Sequence, residues 1–135
     1  MTNIRRPSMI RLTLIILIAI TAMLALIGCG GGGNLISPQS YVSEYQSTGA
    51  DHVLLDVRTP QEFASGHIEG AVNIAVEELE YRLSEVPADK EIIVYCQSGR
   101  RSAIAADTLE ANGYTVRDLG GVINWTGAGY ALVTE

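Results

Sequence analysis

Cys96 has neighbours that would give a thiol chemistry to do. It follows the apolar run Glu91-Ile-Ile-Val-Tyr95 and opens the loop Cys96-Gln97-Ser98-Gly99-Arg100-Arg101-Ser102, which leads into the Ala/Leu-rich segment 103–109. The β-branched residues of the short run predict a buried strand, and the segment after the loop predicts a helix. The loop therefore ends at a helix N-terminus, where unpaired N–H groups and the positive end of the helix dipole favour an anion. Arg100 and Arg101 reinforce that field. A thiol so placed is favoured as the thiolate and is expected to be a nucleophile. Most cysteines at the end of an apolar strand are inert packing, and it is the converging cations that separate the two cases.

The elements that must position this loop follow from local signals. Ser37-Pro38 predicts an N-cap and first helical residue, opening a short helix through Tyr41 and Tyr45. Val53-Leu-Leu-Asp56-Val57 predicts a short buried strand ending in a carboxylate, and Thr59-Pro60-Gln61-Glu62 is a capping box that starts a helix. Gly66-His67-Ile68-Glu69-Gly70 reads as a loop into a strand at Ala71–Ile74, followed by an amphipathic helix over Val76–Leu83. After Cys96 the helix is expected to stop at Asn112-Gly113, with a strand at Tyr114–Arg117 and a short terminal helix begun by Gly120-Gly121-Val-Ile-Asn-Trp125. Strands alternating with helices predict an α/β domain with a largely parallel sheet and its site at the carboxyl ends of strands.

The first third of the 135 residues reads differently. Arg5, Arg6 and Arg11 precede a run from Leu12 to Ile27 that is apolar apart from Thr13 and Thr21. That is the layout of a secretory signal, and the run is short of the ~20 apolar residues that span a bilayer. Leu26-Ile27-Gly28-Cys29 resembles the lipobox of bacterial lipoproteins, which implies cleavage before Cys29 and lipid on its sulfur. The expected organisation is a signal peptide at 1–28, a lipidated cysteine and Gly-rich tether at 29–36, and one domain at 37–135. The protein is then exported and anchored in the cell envelope, on the periplasmic side of the inner or outer membrane or the outer face of a single one. Gly30, where aspartate would retain a lipoprotein at the inner membrane, favours the outer. With Cys29 lipidated, Cys96 is the sole thiol in an oxidising compartment, which points to a reactive thiol or to intermolecular chemistry. Loss of the three leader arginines takes the net charge from −6 to −9, which argues against nucleic acid as a partner.

With those residues placed, the chain resembles a single-domain rhodanese, a sulfurtransferase. The resemblance rests on Asp56-Val-Arg58-Thr-Pro-Gln-Glu62-Phe63, on Gly66-His67-Ile68-Glu-Gly70-Ala71-Val-Asn73-Ile74, on the Cys96–Ser102 loop and on Gly120–Trp125, in family order. It implies a three-layer α/β domain with helices flanking a largely parallel central sheet, acting as a monomer and without a cofactor. It implies that Cys96 takes sulfur from a donor such as thiosulfate as a persulfide and passes it to a thiol or to cyanide. The N–H groups from Gln97 to Ser102 would cradle the persulfide anion, with Gly99 permitting the turn. Arg101 would fix the loop and raise its potential, and Arg100 would face an anionic donor. Asp56 would hydrogen-bond the loop or only cap its own turn; Arg58 would meet substrate or pair with Glu62 or another acid. His67 reads as structural, Trp125 as a core anchor, and with His52 the only other histidine no metal cluster is visible.

Three other readings are weighed against this one. A phosphatase or arsenate reductase loop has cysteine, five residues, then arginine; here the sixth position after Cys96 is Ser102, and Arg101 comes one residue early. A non-catalytic binding module would not need the cysteine, glycine and arginine of the loop. A redox role for Cys96 would need an external resolving thiol.

Overall fold

The computed structural model describes residues 34–134. The leader, Cys29 and the glycine run lie outside the described residues. No helix among the described residues is long and apolar enough to cross a membrane.

Five parallel strands form the sheet: β1 (Asn34–Leu35), β2 (His52–Asp56), β3 (Val72–Asn73), β4 (Glu91–Cys96) and β5 (Val116–Gly121), in the order β1-β5-β4-β2-β3. The helices are α1 (Pro38–Tyr41, continued by a π turn Val42–Gln46), α2 (Pro60–Ser65), α3 (Val76–Leu79), α4 (Arg100–Ala111) and α5 (Val122–Gly127). β4 is the central strand, and Ile92 through Cys96 are all 0% exposed. Its side chains alternate between two cores. Ile92, Val94 and Cys96 meet Leu79, Ala105, Ala106 and Leu109 on the α3/α4 face, while Ile93 and Tyr95 meet Tyr41, Val122 and Trp125 on the other. A strand buried on both faces needs apolar residues at every position, which is why the run carries no polar alternation. Each fully buried isoleucine contributes roughly 1.5–3 kcal/mol, so β4 is held firmly and its last residue with it.

Several expectations change. The domain begins before Ser37: Asn34 and Leu35 pair with Arg117 and Asp118, Ile36 is buried, and the residues assigned to the tether supply the edge strand. The strand expected at Tyr114–Arg117 lies instead at Val116–Gly121. Tyr114 leaves the sheet and packs on the α3/α4 core, donating its hydroxyl to the carbonyls of Leu83 and Val86. The helix expected over 76–83 is broken into one turn at α3 and then a 3-10 turn, Leu83–Glu85, with no side chain capping either. The strand expected at Ala71–Ile74 contracts to Val72–Asn73. The capping box is present in full: Thr59 Oγ1 accepts the Glu62 N–H and Glu62 Oε2 accepts the Thr59 N–H. Ser37 caps α1, accepting the Ser40 N–H.

Candidate active site

β4 carries Cys96 to the carboxyl end of the sheet, in register with Gly121 of β5. Sγ accepts the Gly99 N–H at 3.1 Å. That contact requires the chain to turn back within three residues, and Gly99 does so at φ 96°, a left-handed conformation costly for any residue with a Cβ. Gly99 is also the N-cap of α4, and no side chain caps the helix there. The N–H groups of Ser98, Arg100, Arg101 and Ser102 have no hydrogen-bond partner among the described residues. No acidic residue stands in the first turn of α4. Unpaired donors at the positive end of a 12-residue helix make the loop a setting that favours an anion.

The loop rests on a floor built by residues 118–123. A Cβ on Gly121 would lie 2.6 Å from Gln97 O and 2.8 Å from Ser98 Cα, so only glycine lets β5 pass beneath the loop. Ile123 donates its N–H to Gln97 O at 3.3 Å. Ser102 is fully buried, with its hydroxyl 3.0 Å from Gly99 O and 3.2 Å from Gly120 O, sharing one proton between them. The buried Asp118 accepts the Gly120 N–H at 2.8 Å, across a bulge between Val94 and Tyr95 that lets β5 reach the loop. Reading the sequence missed Asp118 and Gly121 in this role. The Gly120-Gly121 pair was the available signal, taken there as a helix start and as part of the family resemblance. Ser102, expected in the cradle, is tied through its side chain to the underside of the loop.

The arginines divide the work in a way the sequence left open. Arg101 Nη1 and Nη2 each donate to a Glu62 carboxylate oxygen at 2.8 Å. The guanidinium pulls the Glu62 carboxyl down to about 2, with the Thr59 hydrogen bonds adding to the effect. Glu62 therefore ties the first turn of α2 to the first turn of α4 beside Cys96. Arg58 is paired with Asp56, not with Glu62: its Nε and Nη2 lie 2.6–3.0 Å from the carboxylate, and both residues are buried. Arg58 Nη2 also donates to Gly66 O at 2.8 Å. Asp56 caps its own turn through the Arg58 N–H, and neither residue bonds the Cys96 loop. They hold the 66–70 loop beside Tyr95, whose hydroxyl accepts the Ile68 N–H.

Arg100 is exposed and forms no ion pair among the described residues, whereas Arg58, Arg82, Lys90, Arg101 and Arg117 all do. Ser98 is exposed and Gln97 half-buried at the mouth of the loop. His67 is buried and stacked on Phe63 with ring centroids 3.8 Å apart, and its Nδ1 lies 3.1 Å from Phe63 O. Trp125 is buried and donates Nε1–H to Ala131 O. Among the described residues no group of three or more histidine, cysteine or acidic side chains converges as metal ligands.

Comparison with known proteins bears on the family and the fold. Residues 38–128 match the rhodanese-like domain. A sulfurtransferase of Allochromatium vinosum is 40% identical over 85 residues, covering 62% of this chain and 79% of that protein. Thiosulfate sulfurtransferase PspE of Escherichia coli is 38% identical over 71 residues, 50% of this chain and 68% of that one. An uncharacterised Bacillus subtilis protein, YqhL, is 47% identical over 76 residues, and the match spans 60% of its length. Among solved structures, the thiosulfate sulfurtransferase of Pseudomonas aeruginosa superposes with a TM-score of 0.69 at 29% identity, covering 76% of this chain and 20% of that one. A rhodanese-related protein of Thermoplasma volcanium gives 0.67 at 32%, covering 76% and 99%. The chain carries the rhodanese fold, and it belongs to the rhodanese-like domain family.

Proposed function

We propose that the protein is a sulfurtransferase that carries sulfane sulfur as a persulfide on Cys96. The observation that carries the reading is the Gly99 N–H on Sγ, within a loop whose remaining N–H groups are unpaired among the described residues. The thiolate attacks the outer sulfur of a donor such as thiosulfate. The Sγ–S bond forms, the donor's S–S bond breaks, and sulfite leaves with the electron pair. The persulfide anion stays beneath the loop donors, which are preorganised as in an oxyanion hole. A thiolate or cyanide then takes the outer sulfur and returns Cys96 to its thiolate. Arg100, exposed and without an ion-pair partner among the described residues, meets the anionic donor. Arg101 is held by Glu62 and acts on the loop rather than on the substrate. Both of its terminal nitrogens are engaged there, which disfavours a phosphatase role.

The kinetics test this directly. With thiosulfate and cyanide varied together, a persulfide enzyme gives the parallel double-reciprocal lines of a ping-pong cycle, and Cys96→Ser gives no rate. Turnover surviving in Cys96→Ser, or absent from the wild type with every sulfane donor tried, would sink the reading.

Lipid anchoring at Cys29 is the second part of the proposal, motivated by the basic and apolar leader that ends in Leu26-Ile27-Gly28-Cys29. Two or three acyl chains hold a protein at a membrane far more firmly than one. Wild type in the membrane fraction, with Cys29→Ala leaving it and losing a palmitate label, is the expected pattern. An unlabelled wild type would refute it.

A further inference from the structure

Two carboxylates are buried among the described residues, Asp56 and Asp118. Asp56 has the Arg58 guanidinium against it. Asp118 forms no ion pair among the described residues, and its side chain accepts one hydrogen bond, from the Gly120 N–H at 2.8 Å. A carboxylate taken out of water with no cation beside it is costly, and an apolar side chain would fill a strand position without that cost. Packing alone does not account for an aspartate here.

Its place in the sheet suggests what it does. Asp118 pairs with Val94 and Gly120 with Tyr95, so Leu119 is the extra residue of the bulge between β4 and β5. The hydrogen bond from the Gly120 N–H to the Asp118 side chain spans that extra residue. Gly120 takes φ 79° and faces Gly99 at φ 96°; a Cβ on Gly99 would stand 3.6 Å from Gly120 Cα. The Ser102 hydroxyl lies 3.0 Å from Gly99 O and 3.2 Å from Gly120 O, and the Gly99 N–H reaches Cys96 Sγ at 3.1 Å. In the other direction, Asp118 O accepts the N–H of the buried Ile36 at 2.9 Å. A chain of contacts therefore runs from the end of β1 through Asp118, Gly120 and Ser102 to the residue that hydrogen-bonds the sulfur.

We infer that Asp118 is a positioning residue for the Cys96 site: it fixes Gly120 across the bulge, and Gly120 in turn sets where Gly99 and its N–H stand. The role rests on the sulfurtransferase reading and extends it. What Asp118 supplies is a hydrogen-bond acceptor at a set place, and its charge is incidental. Asparagine offers the same acceptor two residues before the same N–H, whereas glutamate keeps the charge and moves it out by a methylene. The two substitutions therefore separate position from charge.

The test starts from the full chain carrying Cys29→Ser, in which Cys96 is the sole cysteine, and adds Asp118→Ala, Asp118→Asn or Asp118→Glu. Two readouts are taken: kcat and KM for thiosulfate with cyanide as acceptor, and hydrogen exchange at the Gly99 and Gly120 amides. Asp118→Ala and Asp118→Glu should lower kcat roughly ten- to hundredfold, as a displacement of about 1 Å at a reacting group does. Their KM should stay within about twofold of the parent chain, and Asp118→Asn should keep its kcat within about threefold. Exchange at Gly99 and Gly120 should quicken in the alanine and glutamate variants and not in the asparagine variant, with the Ile92–Val94 amides protected as in the parent. That last comparison separates a displaced loop from a loosened domain. Asparagine as slow as alanine, or alanine and glutamate both close to the parent in kcat, would overturn the positioning role. If Asp118→Ala fails to fold, asparagine against glutamate gives the same decision. A parent chain without turnover would overturn the sulfurtransferase reading instead, and the exchange comparison would then decide the positioning role by itself.

Discussion

Two carboxylate–guanidinium pairs arise from one short segment, and they do different things. Asp56–Arg58 is buried at both ends, closes within its own turn and grips Gly66 O. Glu62–Arg101 joins two helices, with side chains 33% and 26% exposed, and stands beside the thiol. The bonds are of similar length and both guanidinium groups use two nitrogens. The difference is the surrounding medium. A buried pair has given up its hydration, so losing one partner strands a charge, whereas a half-exposed pair can fall back on water. The first pair should therefore matter to folding and the second to the electrostatics of the loop.

Substitutions can break this contrast. Arg58→Ala strands Asp56 and should destabilise the domain by about 3–5 kcal/mol, read as a fall in the urea midpoint at unchanged m-value. The double variant Asp56→Leu/Arg58→Met, with no charge left to strand, should recover much of that loss; if it is no better than Arg58→Ala, the pair is not governed by desolvation. Gly121→Ala forces a Cβ to 2.6 Å from Gln97 O and should displace the loop, costing roughly 1–3 kcal/mol with a clear loss of sulfur transfer. Glu62→Gln should cost about 1 kcal/mol or less in stability, since the pair is partly solvated and glutamine can still cap α2. Its kcat should drop more than its KM changes, because Arg101 is loosened while the donor contact proposed at Arg100 is left in place. A fall in stability as large as that of Arg58→Ala would erase the distinction.

The smallest expected effect is in pH. The Glu62 carboxyl is held at about 2 by Arg101, below its unfolded value. The pair's contribution to stability is therefore complete above the unfolded value near ~4.3 and is lost as pH falls from there toward 2. Glu62→Gln should flatten the wild-type loss of stability in that acid window and change nothing near neutrality.

The contrast also shows what a sequence reveals. The capping box at Thr59–Glu62, the buried run ending at Cys96 and the α/β order are local patterns, and each side chain states its own role. Partner choice is not local. Glu62 and Arg101 were both visible as charged groups, but their pairing depends on how α2 and α4 meet over the sheet; for Arg58 substrate, Glu62 or another acid stood open, and the acid is Asp56, two residues away. Asn34 and Leu35 belong to the sheet only because β5 offers them an open edge; next to a glycine run they read as tether. Val116–Gly121 was hidden for a related reason. Gly120-Gly121 reads as the start of a helix until the Asp118 carboxylate is seen to hold the Gly120 N–H at the end of the strand.

The central claim is that Cys96 holds sulfur as a persulfide stabilised by the amides of its loop. The most direct measurement is intact mass of the full chain carrying Cys29→Ser after incubation with thiosulfate, beside the same chain carrying Cys96→Ser as well. A gain of about 32 Da on the first alone, removed by cyanide, is the predicted result. A Cys96 thiol that can be alkylated after unfolding, yet gains no mass from thiosulfate or any other sulfane donor, would contradict it.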